Sequence, residues 1–198
     1  MYKPETLLII GPPGSGKGMQ AGMLAQKGDY FHISIGDMYR SKIQGSYLEH
    51  QIICYRAQKK FDEADAIVHT IFREQIEQSI KERLYDPKTQ SLVVDGLPRH
   101  PGQIPFIDET LSVDLVIQLY VPREISIARV NARSQNGNRS YDLDERITQN
   151  KLGTYYAHTK RAIEVYKERG IMKPVDGART PEIVHEQILA ALNDHRKL

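Results

Sequence analysis

IIGPPGSGKGMQ, running from Ile9 to Gln20, is the stretch on which the rest of the chain is read. A short apolar run, Leu7 to Ile10, stops at Gly11, and a helical pattern begins at Lys17. Between them Gly11, Gly16 and Lys17 stand at the spacing of a phosphate-cradling loop, between a strand and a helix as that motif requires. Glycines let backbone N–H groups turn inward, and the helix N-terminus adds partial positive charge. Gly14, Ser15 and Gly18 enrich the loop further, and Lys17 can reach terminal phosphate oxygens. The Ser or Thr that commonly follows the lysine and binds Mg2+ is absent; Gly18 stands there. Next comes Met19, whose thioether can accept weakly and cannot donate.

Outward from the loop, short apolar strands alternate with helical patterns. Phe31 to Ser34 reads as a strand and Asp37 to Tyr55 as mostly helical. From Ala64 to Leu84, Ile67, Ile71, Ile76, Ile80 and Leu84 recur at helical spacing. Leu92 to Val94 reads as a buried strand ending in Asp95, and Asp114 to Val121 as the next. Pro122 opens a helix through Arg133, Ser134 to Asn138 is a polar loop, and Leu143 to Arg169 is helical with a soft spot at Gly153. Met172 to Val175 is a last strand. Thr180-Pro181-Glu182 starts a final helix that runs to about His195, with a hydroxyl cap and proline in the first turn. Such alternation predicts an α/β fold, a parallel sheet with helices on both faces. Ligands in these folds bind beyond the carboxyl ends of the strands, where every polar cluster of this chain lies.

The 198 residues, 40% hydrophobic and 26% charged, suit one globular domain. A net charge of +2 is too balanced to imply nucleic acid or a membrane as partner. Cys54 is the single cysteine, expected to be a packed thiol; it allows neither an intrachain disulfide nor a cysteine-based metal site. The N-terminal apolar run is too short for a signal peptide, and no stretch approaches the ~20 apolar residues of a membrane span, so the cytoplasm is expected.

Two further stretches follow strand ends. HISIGDMYR, His32 to Arg40, places Asp37 and Arg40 at a helix start. DGLPRHPGQ, Asp95 to Gln103, places Asp95 at a strand end with Gly96, Arg99 and Gln103 beyond it. Asp95 can hold the water shell of Mg2+, Arg40 and Arg99 can fork onto one set of phosphate oxygens, and the Gln103 amide can pair with a base edge. His32 is expected to be a structural strand-end residue; the seven histidines show no metal-ligand spacing.

GPPGSGKG, ISIGDMYR, DGLPR with Gln103, and VDG (Val175 to Gly177) resemble, in order and over nearly the whole chain, the motifs of the adenylate kinase family. The resemblance implies the P-loop NTPase fold with a helical insertion that binds the nucleoside monophosphate (NMP) and a short lid. It divides the chain into a core of 1–34, 91–133 and 143–198, an NMP-binding part of about 35–90 and a lid of about 134–142. It implies transfer of the ATP γ-phosphoryl group to AMP with Mg2+, by a monomer whose partners are nucleotides. ATP would meet Gly14, Ser15, Gly16, Lys17, Gly18, Met19, Arg129 and Gly177. The acceptor would meet Ile35, Arg40, Gly96, Arg99 and Gln103, with Asp95 reaching the metal through water. Lys17, Arg99, Arg133 and Arg139 would carry catalysis. Five residues between Arg133 and Arg139 leave no room for a zinc-binding or β-rich lid, so no zinc is expected.

The chain departs from the family at several points. Met19 replaces a usual Thr, Leu97 a usual aromatic, and Ile35 stands where many members carry Thr near the acceptor base. Tyr141-Asp142 stands for paired acids after the second lid arginine. Lys151 is nearest to a later arginine of the family, a point charge replacing a fork, and Arg161 stands where the family has proline. Ser41 to Gln90 matches poorly. Ile35 keeps a pyrimidine (CMP or UMP) acceptor open, and the other departures keep open a nucleotide-binding member with weak or no kinase activity.

Overall fold

The computed structural model describes residues 3–135 and 145–196. Five strands form one sheet: β1 (Glu5–Ile10), β2 (Tyr30–Ser34), β3 (Ser91–Asp95), β4 (Ser112–Tyr120) and β5 (Met172–Asp176). All pairings are parallel, in the order β2-β3-β1-β4-β5. The predicted sheet is therefore present, with its first strand at the centre.

The period of two in a strand divides the core. Leu7 and Ile9 pack with α1 (Lys17–Ala25) and α9 (Pro181–His195) through Ala21, Leu24, Val184 and Ile188. Leu8 and Ile10 turn to the other face, joining Ile52, Phe72, Ile107 and Tyr166. Those four come from α3 (Tyr47–Ala57), α4 (Phe61–Lys81), α5 (Ile104–Thr110) and α8 (Lys160–Glu168). Helices thus cover both faces, and the buried strands read as near-continuous apolar runs for that reason.

Several helical expectations are corrected. Asp37 to Tyr55 is not continuous: α2 (Ile35–Met38) passes into a π-helical turn, Tyr39–Ile43, and the chain breaks before α3. Gly45 takes φ 75°, and the Ser46 hydroxyl caps α3 by accepting from Leu48 N at 3.2 Å. α4 ends at Lys81, short of Leu84; Ile80 and Leu84 are exposed, whereas Ile71 and Ile76 are buried. α6 (Arg123–Gln135) continues into the expected polar loop. α7 (Glu145–Thr154) gives way, just after Gly153, to a π-helical turn, Tyr155–Thr159. Cys54 is exposed on α3 instead of packed. α9 begins at Pro181 as expected, but the Thr180 hydroxyl does not cap it. Arg139 and Tyr141-Asp142 lie outside the described residues.

Candidate active site

The phosphate loop joins β1 to α1. Gly14 and Gly16 take φ of 79° and 91°, a region that other L residues enter only with strain. A Cβ on Gly14 would also stand 2.6 Å from the Ser126 carbonyl oxygen, so α6 presses directly on the loop. Lys17 curls back over it, its Nζ donating to the carbonyls of Gly11 at 2.8 Å and Pro12 at 2.9 Å. An anion brought into the loop would compete for that ammonium. Ser15 is buried, and Gly18 and Met19 are exposed at the start of α1. Gln20 ties α1 to α9, donating to the Pro181 carbonyl at 2.8 Å, while its Oε1 lies 3.2 Å from His185 Nδ1.

Asp95 ends β3 beside Ile9 of β1 and Ser34 of β2. It is buried, with Oδ2 2.7 Å from His32 Nε2 and Oδ1 accepting from the Ser34 hydroxyl at 3.4 Å. A Cβ on Gly18 would lie 3.6 Å from Oδ2, in van der Waals contact, so the carboxylate faces the first turn of α1. Asp95 is a hard oxygen donor next to a phosphate loop, which fits Mg2+: that ion keeps several waters and takes one or two carboxylates together with substrate phosphates. Among the described residues no group of three or more His, Cys, Asp or Glu could hold a metal by itself.

On the other side of Asp95, Gly96 at φ 92° packs against Ile35; a Cβ there would stand 3.3 Å from that of Ile35. Ile35 is fully buried in the same apolar cluster as Leu97, so both departures from the family are packing residues here. Arg40 pairs with Asp37 one helical turn earlier and lies over Gly36. Arg99 is crowded by protein yet reached by solvent. Desolvation and the nearby Arg56 charge lower its pKa, so two guanidinium groups repel each other at a place suited to an anion. The Arg99 backbone is held on both sides. Its carbonyl accepts from Thr159 Oγ1 at 2.9 Å, and its N–H donates to Gln103 Oε1 at 2.8 Å. Gln103 is buried, and its Nε2 donates to Asp65 Oδ1 at 3.1 Å. Asp65 Oδ2 lies 2.6 Å from His100 Nε2.

Arg129 of α6 is fixed by the loop after β5, donating to the carbonyls of Gly177 at 2.6 Å, Ala178 at 3.0 Å and Arg179 at 3.2 Å. Gly177 is pressed against the end of β4, where a Cβ would stand 2.8 Å from Cγ2 of Val121, the residue that follows it, and 3.3 Å from Leu119 Cβ. Arg133 lies half-buried one turn beyond Arg129, and Lys151 is exposed on α7. The structure thus gathers Lys17, Gly18 and Asp95 into one locus and Ile35, Gly96, Arg99 and Gln103 into an adjoining one. The sequence reading missed Arg56, Asp65 and His100. Asp65 carried a faint signal, an acid followed three and six residues later by the buried Val68 and Ile71 of α4.

Residues 9–171 match the family model described as adenylate kinase. The chain is 30% identical to an adenylate kinase of Pseudarthrobacter chlorophenolicus, over 94% of this chain and 95% of that one. It is 30% identical to one of Renibacterium salmoninarum, over 96% and 97%, and 33% identical to one of Stenotrophomonas maltophilia, over 94% and 98%.

Proposed function

The chain belongs to the adenylate kinase family, and from that premise we propose how its own residues transfer the ATP γ-phosphoryl group to AMP, giving two ADP. The observation that carries the assignment of roles is the in-register ending of β1 and β3, which brings the phosphate loop and Asp95 together. ATP phosphates displace the Gly11 and Pro12 carbonyls from Lys17 and take backbone N–H groups at the start of α1. Arg129 and Gly177 form the wall for the ATP base. Met19 lies at the loop's edge. Asp95 would hold Mg2+ through water, and the ion would supply neutralisation of phosphate charge.

Arg40 and Arg99 receive the AMP phosphate as forked donors, and Gln103 meets its base beside Ile35 and Gly96. An AMP phosphate oxygen attacks the γ-phosphorus in line as the bond to the ADP oxygen breaks, with no covalent intermediate on the protein. Lys17, Arg99, Arg133 and Arg139 hold and neutralise the equatorial oxygens, so catalysis is positioning plus electrostatics.

A coupled assay with MgATP and an acceptor panel tests the assignment. AMP is expected to turn over faster than CMP or UMP, and Lys17→Ala or Arg99→Ala to lower kcat/KM on the order of 10³-fold. Faster turnover of CMP or UMP would make the acceptor a pyrimidine nucleotide. Tight nucleotide binding with no turnover would make the chain a binding member of the family.

A further inference from the structure

Asp65 lies on α4 and is buried. Burial pushes its pKa up, but hydrogen bonds from His100 and Gln103 and the nearby imidazoles outweigh that and leave it lowered, so the carboxylate is charged. Both oxygens are engaged: Oδ1 accepts from Gln103 Nε2 at 3.1 Å, and Oδ2 lies 2.6 Å from His100 Nε2. Across the amide, Gln103 Oε1 accepts the Arg99 N–H at 2.8 Å.

Turning an amide over exchanges its donor and its acceptor. Turned over here, Oε1 would face the Asp65 carboxylate and the NH2 group would face the Arg99 N–H. Both contacts repel, and each strips a buried polar group of its partner. The amide is therefore fixed, with one N–H and one lone pair left for a ligand. Adenine presents a C6 amino donor beside the N1 acceptor. A 6-oxo purine presents a C6 carbonyl acceptor beside an N1–H donor, the reverse order. An amide free to turn pairs with either edge; a fixed one pairs with one.

We propose that Asp65, braced by His100, is a specificity-determining positioning residue: by locking Gln103 it makes the acceptor site take a 6-amino purine monophosphate and refuse a 6-oxo one. The proposal rests on the reading above that Gln103 meets the acceptor base. Asp65→Asn can offer Gln103 either a donor or an acceptor and so removes the charged one of the two contacts that fix the amide, leaving only the Arg99 N–H to oppose its turning.

The test is kcat/KM for AMP and for inosine monophosphate at saturating MgATP, in the wild type and in Asp65→Asn, His100→Ala and Gln103→Ala. The wild type is expected to favour AMP strongly. Asp65→Asn should narrow the ratio by about tenfold or more, chiefly through the two acceptor KM values, with the KM for ATP unchanged. His100→Ala should narrow it less, and decides the matter if Asp65→Asn does not fold. A wild-type ratio in Gln103→Ala overturns the acceptor-base reading and the proposal with it. A collapsed ratio in Gln103→Ala, with wild-type ratios in Asp65→Asn and His100→Ala, leaves that reading standing and overturns the proposal. So does an equal loss of kcat on both acceptors at an unchanged ratio, the mark of a purely structural role.

Discussion

A hydroxyl at position 19 would sit in the first turn of α1, two residues beyond the lysine that meets phosphate. Met19 is instead 57% exposed there, so its side chain fills no packing role that a smaller residue would vacate. Met19→Thr is expected to raise kcat about fivefold, the value of one net hydrogen bond of about 1 kcal/mol gained in the transition state. Unchanged kcat in the coupled assay would mean that the loop backbone and Lys17 already satisfy those oxygens. Residues of the phosphate loop were legible because glycine spacing reports a backbone need, and Gly14 and Gly16 do adopt the left-handed conformation that only glycine takes freely. Asp65 was not, because its role depends on a partner 35 residues away, and His32 was legible as a structural strand-end residue but not as the partner of Asp95, 63 residues away. A single residue's chemistry can be read from its neighbours in sequence only when those neighbours are also its partners in space.

The same distinction holds for the elements. Strands were legible because each is a short apolar run bounded by turn residues, and both faces of the sheet are buried. Helix ends were less so. The apolar spacing of α4 continues to Leu84 and no glycine or proline interrupts it, so the sequence predicts a helix to that point. The helix stops in a Schellman turn: Arg83 takes φ 59°, Leu84 N donates to Ser79 O at 2.9 Å and Arg83 N to Ile80 O at 3.0 Å. α3 ends in the same way at Lys59, also at φ 59°. Glycine is the usual residue at that position, and a side chain there costs about 1 kcal/mol. Arg83 is exposed, so Arg83→Gly removes that strain without removing packing. It is expected to raise stability by somewhat less than ~1 kcal/mol, because glycine also loosens the unfolded chain. A thermal melt should show a Tm higher by about 2–3 °C; an unchanged or lower Tm would mean the left-handed turn is unstrained. The break before α3 did carry a signal, Ser46 followed three residues later by Glu49, but Glu49 binds the Gly45 N–H at 2.8 Å and the Tyr39 hydroxyl at 3.3 Å in place of the usual cap N–H.

Across the whole molecule, the alternation of strand and helix announced a parallel sheet, but the order β2-β3-β1-β4-β5 follows from which way each helix crosses, and apolar spacing is silent on that. The two faces share a pH dependence that spacing is equally silent on. His69 on α4 stacks on Phe106 of α5 with ring centroids 3.6 Å apart, and burial lowers its pKa to about 4, with Arg73 and His100 pushing the same way and Asp65 opposing. On the opposite face His185 of α9 is lowered by burial and by Lys27. In both cases the unfolded chain takes up the proton first. Their contribution to stability is therefore complete above the ordinary histidine value of 6.5, and for His69 it is lost as pH falls from there to about 4. Asp65 works in a lower window: its pKa lies below 3.8, so its contribution is present above that value and is lost only as pH falls further. Denaturant unfolding between pH 7.5 and 4.5 separates the histidines. The wild type should lose stability steadily on acidification. His69→Leu, which keeps an apolar contact with Phe106 but cannot bind a proton, should lose distinctly less over the same range, with His185 left to supply the remaining slope. Parallel curves for the two proteins would mean that His69 is protonated as readily in the folded chain as in the unfolded one, and that the packing of α4 on α5 tolerates its charge.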